Sequence, residues 1–253
     1  MTLSTLKTSA LAALAVATLT APSATAALTY ATDDLFLAFR KPGNTVTDYV
    51  VNIGQASQYR DAVTSFNLNL PGLAADLTTA FGGTTGLIWG VVGTTQNTAA
   101  TAPDNLTRLI YTSEPIGSTP TASSSQSSPA NSIIGMKNYW LTLTASQGTV
   151  SNSAFEDASN ANAWSTKVAG AFGSPSIMNT IEDPLANNRI DLFRVAQTGA
   201  NQPITDEGYF SFNAGTVTFT SSSLVPAPEP STMLFGLAML GAIGLNRRRA
   251  VTA

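Results

Sequence analysis

The sequence predicts a mainly β fold, a single antiparallel sheet or sandwich domain with two or three short helices, flanked by an apolar segment at each end of the chain. The first indication is composition: only 11% of the 253 residues are charged, against roughly 25% in an ordinary soluble domain. The second is the 35 Thr and 25 Ser residues, a hydroxyl-rich content that favours exposed strands. The third is a recurrence of strand-length apolar runs.

The first predicted strands are residues 34–40 (DLFLAFR) and 48–54 (DYVVNIG). The link between them includes Pro42 and Gly43, a pair that marks a turn, so the two strands are expected to form a hairpin. A second pair is predicted at 86–95 and 106–113, joined by a polar loop that contains Pro103.

Three more strands are predicted near the end of the domain, at 191–195, 208–212 and 216–220. In the last two, apolar and polar side chains alternate, which predicts one buried and one solvated face. The three-residue link Asn213-Ala214-Gly215 is short enough for a hairpin.

Helical patterns are fewer. Residues 71–81 open with Pro, end before two glycines and place Leu73, Leu77 and Phe81 on one face. Residues 131–144 suit a helix and a strand equally well, and a further helical turn is expected within 161–171. Residues 117–130 are of low complexity and predict a surface loop.

The chain has no His and no Cys. This excludes imidazole and thiolate metal sites, iron–sulfur clusters, disulfides, the Ser-His-Asp triad and the Cys-His dyad. No G-x-S-x-G motif and no glycine-rich phosphate loop with Lys is present either. The sequence therefore predicts a protein that is not an enzyme and binds no cofactor.

Between the two ends, residues 27–225 are expected to form one extracytoplasmic domain. It carries eight basic and 14 acidic residues, a net charge of −6. Nucleic acids and anionic lipids select clustered cations, so neither is an expected partner of this domain.

Four pairs of adjacent acids are candidate sites: Asp33-Asp34, Glu156-Asp157, Glu182-Asp183 and Asp206-Glu207. Two carboxylates at a suitable separation can cleave a glycosidic bond, but adjacent residues do not generally face one sugar. Calcium is the other alternative, with oxygen ligands offered by Glu156, Asp157, Asn160, Asn162, Glu182 and Asp183, although no known calcium pattern is matched. The favoured interpretation is solvated loop charges, with no catalytic and no metal site.

Aromatic side chains offer a different kind of site, since they stack on sugar rings. The candidates are Trp89, Trp140 and Trp164, with Tyr49, Tyr111 and Tyr139. Aromatic residues within apolar strands are more often core residues, and Trp164, which has the most polar neighbours, is the favoured exposed platform.

The N-terminal segment, residues 1–26, has the features of a secretory signal peptide. Lys7 precedes an apolar run at 10–19. Pro22 follows this run, and the small residues Ala24 and Ala26 then form the cleavage motif. We expect signal peptidase to cleave after Ala26.

The C-terminal segment, residues 226–253, has three parts in fixed order. Pro228, Glu229 and Pro230 come first, an apolar block from Met233 to Leu245 follows, and the arginines close it: Arg247, Arg248 and Arg249. The block is roughly 20 Å long as a helix, against roughly 30 Å of bilayer hydrocarbon, so it predicts transient membrane insertion. Arginines after the block stay cytoplasmic, which places the domain outside.

This order of Pro-Glu-Pro, short apolar helix and Arg cluster resembles the PEP-CTERM sorting signal of exported proteins in Gram-negative bacteria that make exopolysaccharide. The resemblance covers about 25 residues and implies processing by an exosortase that recognises Pro228, Glu229 and Pro230. The opening of the domain, DLFLAFR followed by DYVVNIG, also resembles a group of uncharacterised PEP-CTERM proteins, which brings no activity with it. A plain tail anchor is the alternative.

By this resemblance, the expected function is a structural or binding component of the cell surface, the outer membrane exterior or the extracellular matrix, after a transient inner-membrane stage. The expected partners are signal peptidase and exosortase during export, and exopolysaccharide afterwards. The alternatives are a carbohydrate-binding module that uses exposed aromatic residues and a glycan-active enzyme that uses two carboxylates.

Overall fold

The computed structural model describes residues 29–31, 33–95, 109–120, 127–143, 148–169, 181–196 and 204–224. These residues form ten strands: β1 Asp34–Arg40, β2 Thr47–Gln55, β3 Phe66–Asn67, β4 Ile88–Thr94, β5 Ile110–Pro115, β6 Ser153–Asp157, β7 Glu182–Pro184, β8 Arg189–Val195, β9 Ile204–Asn213 and β10 Thr216–Ser221. They also form four α-helices, α1 Ala56–Arg60, α2 Leu73–Phe81, α3 Ser127–Trp140 and α4 Trp164–Ala169, and two 3₁₀ helices, Leu185–Asn187 and Ser222–Leu224.

All ten strands belong to one antiparallel sheet. The strand order is β3-β10-β9-β8-β5-β4-β1-β2-β6, and β7 pairs with β4 off this path. The central strand β1 is buried on both faces, with Leu35, Leu37 and Phe39 on one side and Phe36 and Ala38 on the other.

The sheet curls around the larger of its two cores. Strands β1 and β9 are separated by three intervening strands, which would place them about 19 Å apart in a flat sheet at ~4.8 Å per strand. Yet the rings of Phe39 on β1 and Phe212 on β9 are only 6.3 Å apart, and Trp89 on β4 contacts both. The sheet therefore folds over so that its two halves share an aromatic core.

The helices cover the two faces of the sheet. α2 buries Leu73, Leu77 and Phe81 in the larger core, which also includes Ala56 and Tyr59 of α1. α3 buries Ile133, Met136 and Trp140 in the second core, on the other face, where Trp164 of α4 also packs.

Most of the predicted strands are confirmed. The hairpin of β1 and β2, the pairing of β4 with β5, and the strands β8, β9 and β10 lie where the apolar runs indicate. The alternation in the last two strands is also confirmed: Phe210, Phe212, Val217 and Phe219 are buried. α2 carries its predicted apolar stripe.

Some expectations require correction. The fold has four α-helices among the described residues instead of two or three, and its sheet is curled. The ambiguous segment 131–144 is helical as far as Trp140, and α3 begins at Ser127, inside the predicted loop, because Ile133, Met136 and Trp140 give it a helical apolar face. Strands β3 and β7, of two and three residues, are too short to produce a sequence signal, and β6 (SAFED) has no apolar run of strand length.

The predicted signal peptide at 1–26 and the predicted sorting helix at Met233 to Leu245 lie outside the described residues. Within the part of the chain that the structure does describe, none of the helices has both the length and the apolar character that a membrane span requires.

Candidate functional site

Three acidic residues from three different strands converge at one end of the sheet. Asp48 is the second residue of β2, Glu156 lies directly opposite it on β6, and Glu182 opens β7. We call these three the carboxylate cluster. Arg40, the last residue of β1, accompanies them. The sequence separations are long, so the antiparallel register is what brings these side chains together.

Two of the carboxylates hold the first residues of α4. The backbone N–H of Trp164 donates to Glu156 Oε1 at 2.8 Å, and the backbone N–H of Ser165 donates to Asp48 Oδ2 at 2.7 Å. The Ser165 hydroxyl also donates to Asp48 Oδ1, at 2.6 Å. Since the first N–H groups of a helix have no partner within the helix, these acids supply the acceptors that α4 needs.

The third carboxylate, Glu182, is shared by an arginine and an indole. Arg40 Nε donates to both oxygens of Glu182, at 2.8 and 3.0 Å, and a terminal guanidinium nitrogen donates at 2.6 Å. The Trp164 indole N–H donates to Glu182 Oε1 at 2.6 Å. Only 7% of the Glu182 side chain is exposed, so this is a largely desolvated, bidentate ion pair.

Burial shifts the protonation of the two helix-capping acids. It raises the pKa of Glu156 to about 8, since the hydrogen bond from Trp164 offsets only part of the burial and the charge of Asp48 adds to it. Burial also raises the pKa of Asp48, although the hydrogen bonds from Ser165 and the charge of Arg40 lower it. At neutral pH Glu156 is therefore predominantly protonated.

This arrangement is structural, since its hydrogen bonds fix the position of α4. A pocket of about 400 Å³ lies beside the cluster, and its lining includes Arg40 and Ser165 but none of the three carboxylates. Asp48 and Glu156 are 0% and 4% exposed. The three acids thus meet protein donors and fasten α4 to β1, β2, β6 and β7, and their geometry offers no pair of carboxylates facing a sugar-sized space.

Another buried acid, Asp76, holds the segment between α3 and β6 in place. Asp76 of α2 accepts hydrogen bonds from the Tyr49 hydroxyl at 2.6 Å, the Thr149 N–H at 2.6 Å and the Val150 N–H at 2.9 Å. The Asp76 carboxylate thus connects α2 with β2, through Tyr49, and with the segment before β6, through Thr149 and Val150.

The expectation that the four acidic pairs are solvated loop charges is wrong for most of their members. Asp157 and Asp206 are exposed and Glu182 is partly buried, but the others are buried: Asp33, Asp34, Glu156, Asp183 and Glu207. Several of these buried acids have specific donors: Asp34 accepts from Asn52 and Gln55, and Glu207 pairs with Arg194 at 2.5 Å. In the pairs Glu156–Asp157 and Asp206–Glu207 one acid is buried and the other exposed, because successive strand residues point to opposite faces.

The predicted aromatic platform is also wrong. Trp164 is 0% exposed, as is Trp89, and Trp140 is 1% exposed. Although its neighbours in the sequence are polar, Trp164 lies inside the fold, where its backbone N–H donates to Glu156 and its indole N–H donates to Glu182. Tyr49 and Tyr111 are buried core residues as well.

The set offered for calcium is not brought together. The described residues include Glu156, Asp157, Glu182 and Asp183, and among the described part of the chain no group of three or more acidic side chains is arranged to hold a metal ion. The Asp157 carboxylate instead accepts from Ser159, and the Asn160 side chain accepts from the Asn162 N–H.

Sequence reasoning missed Arg40, Asp48 and Ser165 as members of this arrangement. None of them has a local signal, because each acts on a residue that is more than 100 positions away along the chain. The predicted sorting residues Pro228, Glu229, Pro230, Arg247, Arg248 and Arg249, and the cleavage residues Ala24 and Ala26, lie outside the described residues.

Comparison with known proteins gives one match. The family model of the PEP-CTERM protein-sorting motif matches residues 226–250. No curated protein and no solved structure matches the chain, so the likeness of the domain to uncharacterised PEP-CTERM proteins has no further support. The sorting motif implies an exported protein that is directed to the cell surface and processed by an exosortase.

Proposed function

We propose, from this PEP-CTERM motif, that the protein is a non-catalytic structural or binding component of the cell surface or of the exopolysaccharide matrix of a Gram-negative bacterium. The observation that carries the proposal is the position of the motif. It begins at residue 226, directly after the last described helix of the domain, Ser222–Leu224. This position supports the proposal that residues 27–225 are delivered as one domain that the sorting motif follows.

The role of the domain after delivery is proposed from what its acids do. A glycan-active enzyme needs two carboxylates that face a common space, one as acid and the other as base or nucleophile. In the carboxylate cluster, Asp48 and Glu156 are buried and are used to hold α4. This supports a structural or binding role over a catalytic one.

Export can be tested at the two ends of the sorting motif. Replacing Glu229 with Ala removes a recognised residue and leaves the arginines in place, so unprocessed chain should accumulate in the membrane. Replacing Arg247, Arg248 and Arg249 with neutral residues removes the charges that keep the tail cytoplasmic, so the chain should leave the membrane with its tail attached.

The measurement is the intact mass of the chain in the membrane and secreted fractions. The unaltered chain should end at about Pro230 once it reaches the surface. Surface protein that still carries residues 233–253 would contradict exosortase processing and indicate a plain tail anchor. Release of new reducing ends from glycans by the purified protein would contradict the non-catalytic role.

A further inference from the structure

Two adjoining pockets form a single groove at one end of the molecule. One has a volume of about 270 Å³ and the other about 490 Å³, and they share Thr84, Asn188 and Phe212 in their linings. The larger volume falls within the ~300–1,000 Å³ that small-molecule sites occupy. We call this pair of pockets the turn groove.

Three tight turns build its walls. The first is the glycine-rich link after α2, which includes Gly83 and Gly86, the second follows the 3₁₀ helix at Leu185–Asn187, and the third is the β9–β10 turn at Ala214–Gly215. A Cβ atom added at Gly83 or Gly86 would meet no atom within 4 Å, so the backbone there borders open space. Backbone donors and acceptors are therefore accessible beside the side chains.

The described lining of the groove combines four apolar side chains, Ala74, Leu185, Ala186 and Ala214, with polar uncharged ones. The polar ones are hydroxyls and amides over one aromatic ring: Thr78, Thr84, Thr85, Asn188, Asn213 and Phe212. Among the residues that the structure describes, no charged side chain lines either pocket. Phe212 is only 6% exposed, so it supplies an apolar floor to the groove.

Most of these polar groups are not used by the fold. Within the described ranges, the side chains of Thr84, Thr85, Asn188 and Asn213 make no hydrogen bond to another protein group, whereas Thr78 donates to the Ala74 carbonyl. Asn188 adopts a left-handed conformation, with φ of 58°, and its backbone carbonyl accepts from the Phe212 N–H at 3.1 Å. The backbone is thus fixed while the amide is left for a ligand.

This lining decides the class of ligand. An anion would need cations and a metal ion would need carboxylates, and the described part of the groove lining has neither. An apolar ligand would leave the hydroxyls and amides without partners. A neutral, polyhydroxylated molecule satisfies both the side chains and the exposed backbone, and two adjoining pockets suit more than one sugar residue.

We propose that the turn groove binds a neutral oligosaccharide chain of two or more sugar residues, recognised by Thr84, Thr85, Asn188 and Asn213. The proposal rests on the proposed function as a non-catalytic surface or matrix component and gives it a ligand class. The proposed sugar site is thus formed by hydroxyl and amide groups, and not by the ring of Trp164 that the sequence favoured.

The test uses the full chain in a zwitterionic detergent, so that no sugar headgroup competes for the site. The probes are neutral hexasaccharides of glucose, mannose and N-acetylglucosamine, with binding measured by calorimetry. The groove variant combines Thr84→Val with Asn188→Gly: the first keeps the shape of Thr, and the second keeps a residue that accepts a positive φ. The matched control combines Thr64→Val with Asn69→Ala, on exposed residues away from the groove.

The expected result is binding of at least one hexasaccharide by the unaltered chain, at least tenfold weaker binding by the groove variant, and unchanged binding by the control. Absence of binding to all three probes, equal binding by the groove variant, or loss of binding in the control alone would overturn the proposal. Melting temperatures confirm that both variants are folded. Hydrolysis of a hexasaccharide would contradict the proposed function, and the groove variant would show separately whether the sugar binds there.

Discussion

Replacing Glu156 with Gln should make the protein more stable at neutral pH. The native side chain is a buried acid, 4% exposed, that accepts the Trp164 N–H. Burial holds its pKa at about 8, against an ordinary value of 4.5. Gln has the shape of the protonated acid and keeps the accepting oxygen, so the hydrogen bond from the Trp164 N–H at the start of α4 should be retained.

The magnitude follows from the linkage between protonation and folding. Between pH 4.5 and pH 8 the folded chain holds a proton on Glu156 that the unfolded chain releases, so the free energy of unfolding falls as the pH rises through this window. At ~1.4 kcal/mol per pH unit, the loss amounts to about 3 kcal/mol at pH 7 and levels off at no more than about 5 kcal/mol above pH 8. The Gln variant has no proton to lose and should avoid this decline.

The assay is urea denaturation of both chains at pH 4, 5.5, 7 and 8.5. The gap in unfolding free energy should be small at pH 4 and should widen to about 3 kcal/mol at pH 7 in favour of the variant. Asp48 and the Arg40–Glu182 pair are present in both chains, so their contributions to stability largely cancel in the difference.

Glu182→Gln is the matched control. This substitution also replaces one carboxylate oxygen with an amide nitrogen, but at Glu182 it breaks a desolvated ion pair with Arg40. It should therefore lower the free energy of unfolding by about 1.5–3 kcal/mol at pH 7. A Glu156→Gln variant that is less stable than the native chain at pH 7, or a gap that does not change with pH, would refute the reasoning.

Four further predictions concern other parts of the fold. Ala214→Asn should raise the unfolding free energy by about 1 kcal/mol, because Ala214 and Gly215 both have positive φ in a two-residue turn that favours Asn-Gly; unchanged stability would contradict this. Asp76→Ala should lower the unfolding free energy by about 3 kcal/mol and speed amide exchange at Thr149 and Val150, which lose their acceptor. Adding EDTA should leave the melting temperature unchanged, whereas a shift of many degrees would reveal a bound metal. Residues 27–226 expressed alone should be monodisperse, and aggregation that is cured by restoring Met233 to Leu245 would show that the tail is structural.

The parts of the fold that the sequence predicts are those with local patterns. The strands β9 and β10 alternate apolar and polar residues and are joined by a short glycine-containing link, so both elements and their pairing follow from adjacent residues. α2 is bounded by Pro71 and Gly82, and its apolar spacing has one interpretation. α3 was ambiguous because its apolar residues fit two periods, and only packing against the sheet decides between them.

The carboxylate cluster could not be predicted for a physical reason. A buried acid is tolerated only where donors compensate it, and the donors for Asp48 and Glu156 come from the start of α4. That compensation depends on the register of β2 with β6. The turn groove has a weak local signal, the Gly and Asn residues that mark its three turns, but nothing in those turns indicates that they meet.

Strand β10 connects the turn groove with the part of the chain that leads to the sorting motif. The β9–β10 turn at one end of this strand belongs to the wall of the turn groove, and the other end leads through Ser222–Leu224 toward the sorting motif. Six residues of strand separate these two ends by about 17 Å. The β9–β10 turn of the groove and the point from which the chain continues toward the sorting motif therefore lie at opposite ends of one strand. If the exported chain is held at its C-terminus, a ligand can approach the groove from the end of β10 that is farther from Ser222–Leu224.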